Sequence, residues 1–250
     1  MIPCLLLRGD GLVKTVKFRK PKYLGDPINV VKIFNDKEVD ELIFCDIRAT
    51  LEGARPPFDR MEQIASECFM PLGYSGGVRN LEDMERLFNI GIEKVAINTY
   101  AVDNPTFVRK AAEHFGNQSV VVSMDVKKKF FGGYEVCTKG GSKRTGLEPV
   151  SFAVEMETMG AGEILLNSID RDGMMLGYDI DLIRRVTSAV DIPVVACGGA
   201  GGIQDLTAAI NGGASAAGAG SMFVFNGPHH AVLISYPNPH QLKESFGKIE

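Results

Sequence analysis

The chain has 250 residues, 45% of them hydrophobic and 23% charged, the size and balance of one globular (β/α)8 barrel. A net charge of −4 argues against the broad basic face that nucleic-acid binding needs. The sequence has neither a signal peptide nor an apolar run near the ~20 residues of a membrane span, so a cytoplasmic protein without a membrane partner is expected. Five cysteines (Cys4, Cys45, Cys68, Cys137, Cys197) form no CxxC pair, have no nearby histidine spacing and are odd in number, which argues against a zinc site or disulfide framework; they read as small buried hydrophobes, and no metal or cofactor is expected.

Short apolar runs alternate with amphipathic stretches along the whole chain. Ile2–Leu7 reads as the first strand. Residues Arg8–Leu24, with Gly9, Gly11, Lys14, Lys20 and Lys22, read as a long mobile connection, either a solvated loop or a lid carrying a lysine. A helix over Pro27–Asp36 starts at Asp26-Pro27, the favoured place for proline. Strand Glu41–Cys45, helix Phe58–Glu67, strand Pro71–Tyr74 and helix Leu81–Asn89 follow, the last capped by Asn80. Next come strand Lys94–Asn98, helix Pro105–His114 after Asn104, strand Ser119–Met124 and a basic cluster at Lys127–Lys129. That cluster reads as a solvated loop or a grip on a small anion. Helix Pro149–Met159, strand Glu163–Leu166, helix Ile180–Ala189, strand Pro193–Cys197, helix Ile203–Asn211 and strand Ala214–Ala219 complete the series. Strands that are apolar throughout are buried on both faces, and eight of them alternating with helices predict a closed parallel (β/α)8 TIM barrel.

Adding 122 to Glu41, Pro71, Gly76, Gly77, Asp83 and Gly91 gives Glu163, Pro193, Gly198, Gly199, Asp205 and Gly213, the same residue each time. One constant offset across three strands implies two repeated half-barrels, about residues 1–118 and 119–250, within a single domain.

The active site of such a barrel lies at the C-terminal strand ends. Gly76-Gly77 follows the third strand and Gly198-Gly199 the seventh, while Asn98-Thr99 and Gly220-Ser221 follow the fourth and eighth. Glycines admit an anion close to the backbone, amides bind it, and a hydroxyl adds a donor. Two tight turns without a ligand would look similar, but the pairing of each with Thr99 or Ser221 favours a ligand with a phosphate at each end. Asp46, Asp125, Asp170 and Asp172 also fall on this rim. Asp170 and Asp172 have the company of turn formers. Asp125 closes an apolar strand and reads as a general acid or base.

The pieces IPC at Ile2–Cys4, GDP at Gly25–Pro27, DELIFCDI at Asp40–Ile47, INT at Ile97–Thr99, GAGEILLNSIDRDG at Gly160–Gly173 and GYD at Gly177–Asp179 together resemble the HisF family, the cyclase subunit of imidazole glycerol phosphate synthase. The resemblance runs from Ile2 to about Phe225. It implies a partner glutaminase that supplies ammonia, and a bisphosphorylated substrate cleaved and cyclised to imidazole glycerol phosphate and an aminoimidazole carboxamide ribotide. It implies Gly77, Asn98 and Thr99 at one phosphate, and Asp172, Gly173, Gly199, Gly220 and Ser221 at the other. Asp125 would be one of two acid–base aspartates, Lys14 the lid lysine, and Glu41, Lys94 and Glu163 a charged gate at the barrel bottom.

The resemblance breaks at Leu6, where the family has the second aspartate. The gate arginine ahead of this motif is also missing, Ser75 stands in a turn normally all glycine, and Asn167 replaces a usual threonine. The tail Pro228–Pro239 has three prolines and no helical pattern. The runs IPCLLL and LVKTVKF, with HAVLISYP in the tail, are similar to a paralogous HisF-like branch associated with surface-polysaccharide loci. That branch accompanies a HisH-like glutaminase and an ATP-dependent sugar amidotransferase that makes acetamidino sugars. Three functions therefore compete: an ammonia-handling partner in sugar amidation, a histidine-pathway cyclase with altered residues, and a sugar-phosphate isomerase or lyase. Leu6 weighs against the second and third, which need a pair of proton-transfer groups; the charged bottom weighs against the third.

Overall fold

A computed structural model describes residues 1–227 and 229–246. Eight strands form a closed parallel barrel: β1 (Ile2–Arg8), β2 (Leu42–Asp46), β3 (Leu72–Ser75), β4 (Lys94–Ile97), β5 (Val120–Lys128), β6 (Glu163–Ser168), β7 (Val194–Cys197) and β8 (Ala216–Ala219). Each pairs with the next, and β8 closes on β1 through Ile2 opposite Gly218 and Pro3 opposite Ala219. The surrounding helices are α1 (Pro27–Asp36), α2 (Phe58–Ala65), α3 (Leu81–Asn89), α4 (Pro105–Phe115), α5 (Pro149–Thr158), α6 (Ile180–Thr187), α7 (Ile203–Asn211) and α8 (Pro239–Phe246).

Local signals place the helix starts. Asp26 accepts hydrogen bonds from the amides of Ile28 and Asn29, ahead of Pro27 at the first turn of α1. Asn80 caps α3 by accepting from the Asp83 amide at 2.8 Å. Asn104 instead accepts from the Thr106 hydroxyl and makes no side-chain bond to the α4 amides. Each helix turns one face to the barrel, as Val30, Val31 and Phe34 do on α1. The outer faces of the strands and these helix faces form the main core, with Phe34, Phe44, Leu42 and Met61 fully buried. Truncating one such side chain to Ala costs roughly 2–5 kcal/mol. The bore holds a separate, smaller cluster of Ile2, Cys4, Ile43, Ala96, Val121, Leu165 and Val195.

Four expectations need correction. The Arg8–Leu24 segment is an ordered antiparallel hairpin, Gly11–Val16 against Arg19–Gly25, and the first of these strands also pairs with β1. Its Lys14 is buried rather than solvated. The strand predicted to end at Met124 runs on to Lys128 and pairs with Tyr134–Thr138, so Asp125 sits inside a strand and Lys127–Lys128 on its extension. The cysteines are not uniformly buried: Cys45, Cys68 and Cys197 are partly exposed, and the Cys197 and Cys4 sulfurs approach to 3.6 Å. In the tail, Phe225–Asn226 pairs with Ala231–Val232 and α8 forms beyond Asn238; Pro228 lies outside the described residues.

Candidate active site at the rim

The C-terminal strand ends enclose a cavity of about 630 Å³. Both expected catalytic residues, Asp125 and Lys14, line it. So do all the expected phosphate residues: Gly77, Asn98, Thr99, Asp172, Gly173, Gly199, Gly220 and Ser221. They come from six different strand ends and the first hairpin, and only closure of the barrel brings them together.

The two glycine turns are sterically obligatory before any ligand is considered. Gly199 has φ +125°, and a Cβ there would lie 2.2 Å from the Gly177 carbonyl oxygen; Gly76 at +134° would strike the Asp46 backbone at 2.7 Å. The hydroxyls separate the two ends further. Thr99 is already engaged, donating to Asn98 Oδ1 at 3.2 Å and accepting from the Lys139 amide at 3.0 Å. Asn98 donates to the carbonyls of Ser123 and Cys137. The Ser221 hydroxyl is 3% exposed as a residue and has no hydrogen-bond partner among the described residues. A buried, unpaired hydroxyl on an anion-compatible turn is the part of this rim that most needs an external acceptor. The two ends are therefore not equivalent.

Asp125, on β5, faces the cavity. Burial pushes its carboxyl up to about 7, the neighbouring Asp172 charge adds to the rise, and a hydrogen bond with Asn167 opposes it. A carboxylic acid poised near neutrality can give or take a proton. Its counterpart position is Leu6 on β1, diametrically opposite in the eight-strand circle, and it lines the cavity with an apolar side chain. Lys14 Nζ grips Asp172 rather than reaching into open space.

Other rim acids have structural tasks. Asp46 accepts from the amides of Arg48 and Ala49, fixing the turn that leads into the short helix Ala49–Glu52. Asp170 accepts from the Lys128 amide and does not line the cavity. Arg8, Arg48, Arg79 and Lys139 do line it, and sequence reasoning missed them. Isolated basic residues carry no periodic signal; only the fold places them at the cavity mouth.

At the opposite end of the barrel, Lys94 Nζ bridges Glu41 Oε2 at 3.0 Å and Glu163 Oε2 at 2.9 Å. Burial works against the Lys94 ammonium, yet the two carboxylates hold its pKa above the ordinary value. At Glu163 burial wins, and its carboxyl is raised despite Lys94. The lysine thus gains from the pair while the glutamate remains under-solvated, as expected for an ion cluster at the mouth of an apolar bore.

The chain matches the family described as "Histidine biosynthesis protein" over residues 1–228. A Pseudomonas aeruginosa protein named "Putative imidazole glycerol phosphate synthase subunit hisF2" is 50% identical over 243 residues, 97% of each chain. A Vibrio vulnificus protein named "Putative imidazole glycerol phosphate synthase subunit hisF3" is 45% identical over 248 residues, 98% of this chain and 95% of its own. "Imidazole glycerol phosphate synthase subunit HisF" of Alkaliphilus metalliredigens is 45% identical over 227 residues, 90% of each chain.

Proposed function

The chain belongs to the histidine biosynthesis protein family as a HisF-like subunit, and from that premise we propose that it takes up ammonia from a HisH-like glutaminase and routes it through the barrel. The delivery serves acetamidino-sugar formation by an ATP-dependent sugar amidotransferase in surface-polysaccharide biosynthesis. The observation that carries this reading is Leu6 facing the cavity across from Asp125. Imidazole formation asks one group to donate a proton and another to accept one. A leucine does neither, and loss of one general acid–base residue costs roughly 10²–10⁴-fold in rate.

In this reading Glu41, Lys94 and Glu163 form the entry gate, and the apolar bore of Ile43, Ala96, Val121 and Leu165 favours neutral ammonia over ammonium. Lys14, Asp172, Gly173, Gly199, Gly220 and Ser221 hold an anionic ligand at one end of the rim, with Gly77, Asn98 and Thr99 at the other. Asp125 tunes the rim without completing a catalytic pair.

One observation favours a second reading. All the phosphate residues remain gathered in one cavity, as a histidine-pathway cyclase acting on a bisphosphate would require. Glutaminase activation separates the two. A conduit activates the glutaminase whether or not Asp125 can ionise, so Asp125→Asn leaves activation nearly unchanged. A collapse of activation in that variant, with normal folding, would overturn the conduit reading.

A further inference from the structure

The two hairpins on the cavity rim polarise the molecule. Residues 8–25 hold six Lys or Arg and one carboxylate, and residues 127–144 hold six and one. Together they carry twelve of the 27 basic side chains and two of the 31 acidic ones, so the net charge of −4 conceals a positive rim on an acidic body. Some of this charge is neutralised in place, as in Lys14–Asp172, Lys128–Asp179 and Arg144–Glu135. Lys17, Arg19, Lys20, Lys129 and Lys139 are exposed and in no salt bridge among the described residues.

Between Lys128 and Tyr134 the second hairpin turns through Phe130 and Phe131, 93% and 96% exposed, their rings edge to face at 5.1 Å. On the first hairpin Tyr23 is 67% exposed. Large aromatic side chains standing wholly in water beside lysines mark a contact surface. The shape selects its partner. The aromatic pair sits on a protruding convex tip with almost no protein around it. A protein partner would need a pocket cut to fit that tip. A bilayer interface deforms around it, and lysines reach from such a tip to lipid phosphates.

We propose that this rim docks peripherally on anionic phospholipid, with Phe130 and Phe131 entering the headgroup–acyl boundary and the unpaired lysines facing the phosphates. No helix among the described residues is long and apolar enough to cross a membrane, so the contact is superficial. The expectation of no membrane partner came from absent spans, which do not register how surface charge is distributed. The proposal is independent of the ammonia reading.

The test is co-sedimentation of the full chain with vesicles of phosphatidylethanolamine and phosphatidylglycerol, and with phosphatidylcholine vesicles. Binding is expected to the anionic vesicles alone, to fall severalfold between about 50 and about 300 mM salt, and to drop at least about tenfold in F130S/F131S with an unchanged melting temperature. Equal binding to both vesicle types, or an unaffected double variant, overturns the proposal. So does a wild type that ignores vesicles yet binds an acidic protein through the same two phenylalanines.

Discussion

Lys14 Nζ lies 2.9 Å and 3.0 Å from the two carboxylate oxygens of Asp172, joining residues 158 positions apart. The Lys14 side chain is 4% exposed and that of Asp172 13%, so the pair is nearly dry. It fastens the first hairpin to the loop after β6, where the Lys17 amide also donates to the Asp172 carbonyl at 2.9 Å. Lys14 is thus a structural clamp as well as a candidate anion ligand. Lys14→Met leaves Asp172 unpaired and destabilises the chain by about 3 kcal/mol, the scale for breaking a buried pair from one side. Limited proteolysis should then cut within residues 8–25 much faster than in the wild type. Unchanged cleavage and an unchanged denaturation midpoint would contradict the clamp.

The raised carboxyl of Asp125 makes stability depend on pH in a defined direction. In the unfolded chain this group ionises near its ordinary value of 3.8, in the folded chain near 7. Between those values the folded state binds more protons, so stability falls as pH rises through the window and the full penalty stands above it. A shift of this size corresponds to at most about 4 kcal/mol. Asp125→Asn removes the charge and should melt several degrees above the wild type at pH 8, with the difference closing toward pH 4. A variant less stable than wild type at pH 8 would show that Asp125 is not strained by burial.

Gly199 tests the seventh-strand turn. A methyl group there meets the Gly177 carbonyl at 2.2 Å with φ at +125°, so backbone has to move. Gly199→Ala should cost about 2–4 kcal/mol in chemical denaturation. It should also weaken binding of inorganic phosphate, measured by calorimetry, more than the same change at exposed Gly146, where a Cβ meets nothing within 4 Å. Equal effects at both positions would remove the turn from the anion site.

The ion cluster at the barrel bottom separates two sources of ammonia. Lys94→Met leaves Glu41 and Glu163 facing each other without a cation. It should depress any reaction fed by the glutaminase while sparing the same reaction fed by ammonium salt. Equal loss with both sources would make the cluster structural only.

The barrel was readable because its strands are buried on both faces. Runs such as Val120-Val121-Val122 have no polar side to confuse the period, and Asp26-Pro27 and Asn80 mark helix starts by their own hydrogen bonds. The hairpins escaped because strands that leave the barrel need not be apolar. Lys14 in particular points inward against the usual polar-out pattern, and its partner Asp172 is remote in sequence. The rim glycines stood out through the repeat at 122 residues, and the hydroxyls of Thr99 and Ser221 through their place after the fourth and eighth strands. Of the barrel-bottom cluster, Glu41 and Glu163 stood out as partners in the repeat, while Lys94 and the joining of the three as a gate were legible only through family resemblance. Helix α8 carried a faint signal, Leu242 and Phe246 four residues apart, which the neighbouring prolines masked.

The central claim, that the barrel has lost its acid–base pair and keeps its conduit, is tested most directly at Leu6. Purified wild type and Leu6→Asp are given ammonium salt and the histidine-pathway bisphosphate, and formation of imidazole glycerol phosphate is followed. The account predicts no measurable turnover by wild type, and turnover in Leu6→Asp raised by at least about 10²-fold over the assay floor, the scale of one restored general acid–base group. Efficient cyclisation by the wild type would contradict it, because Leu6 would then be compensated by another residue and the chain would be a working cyclase.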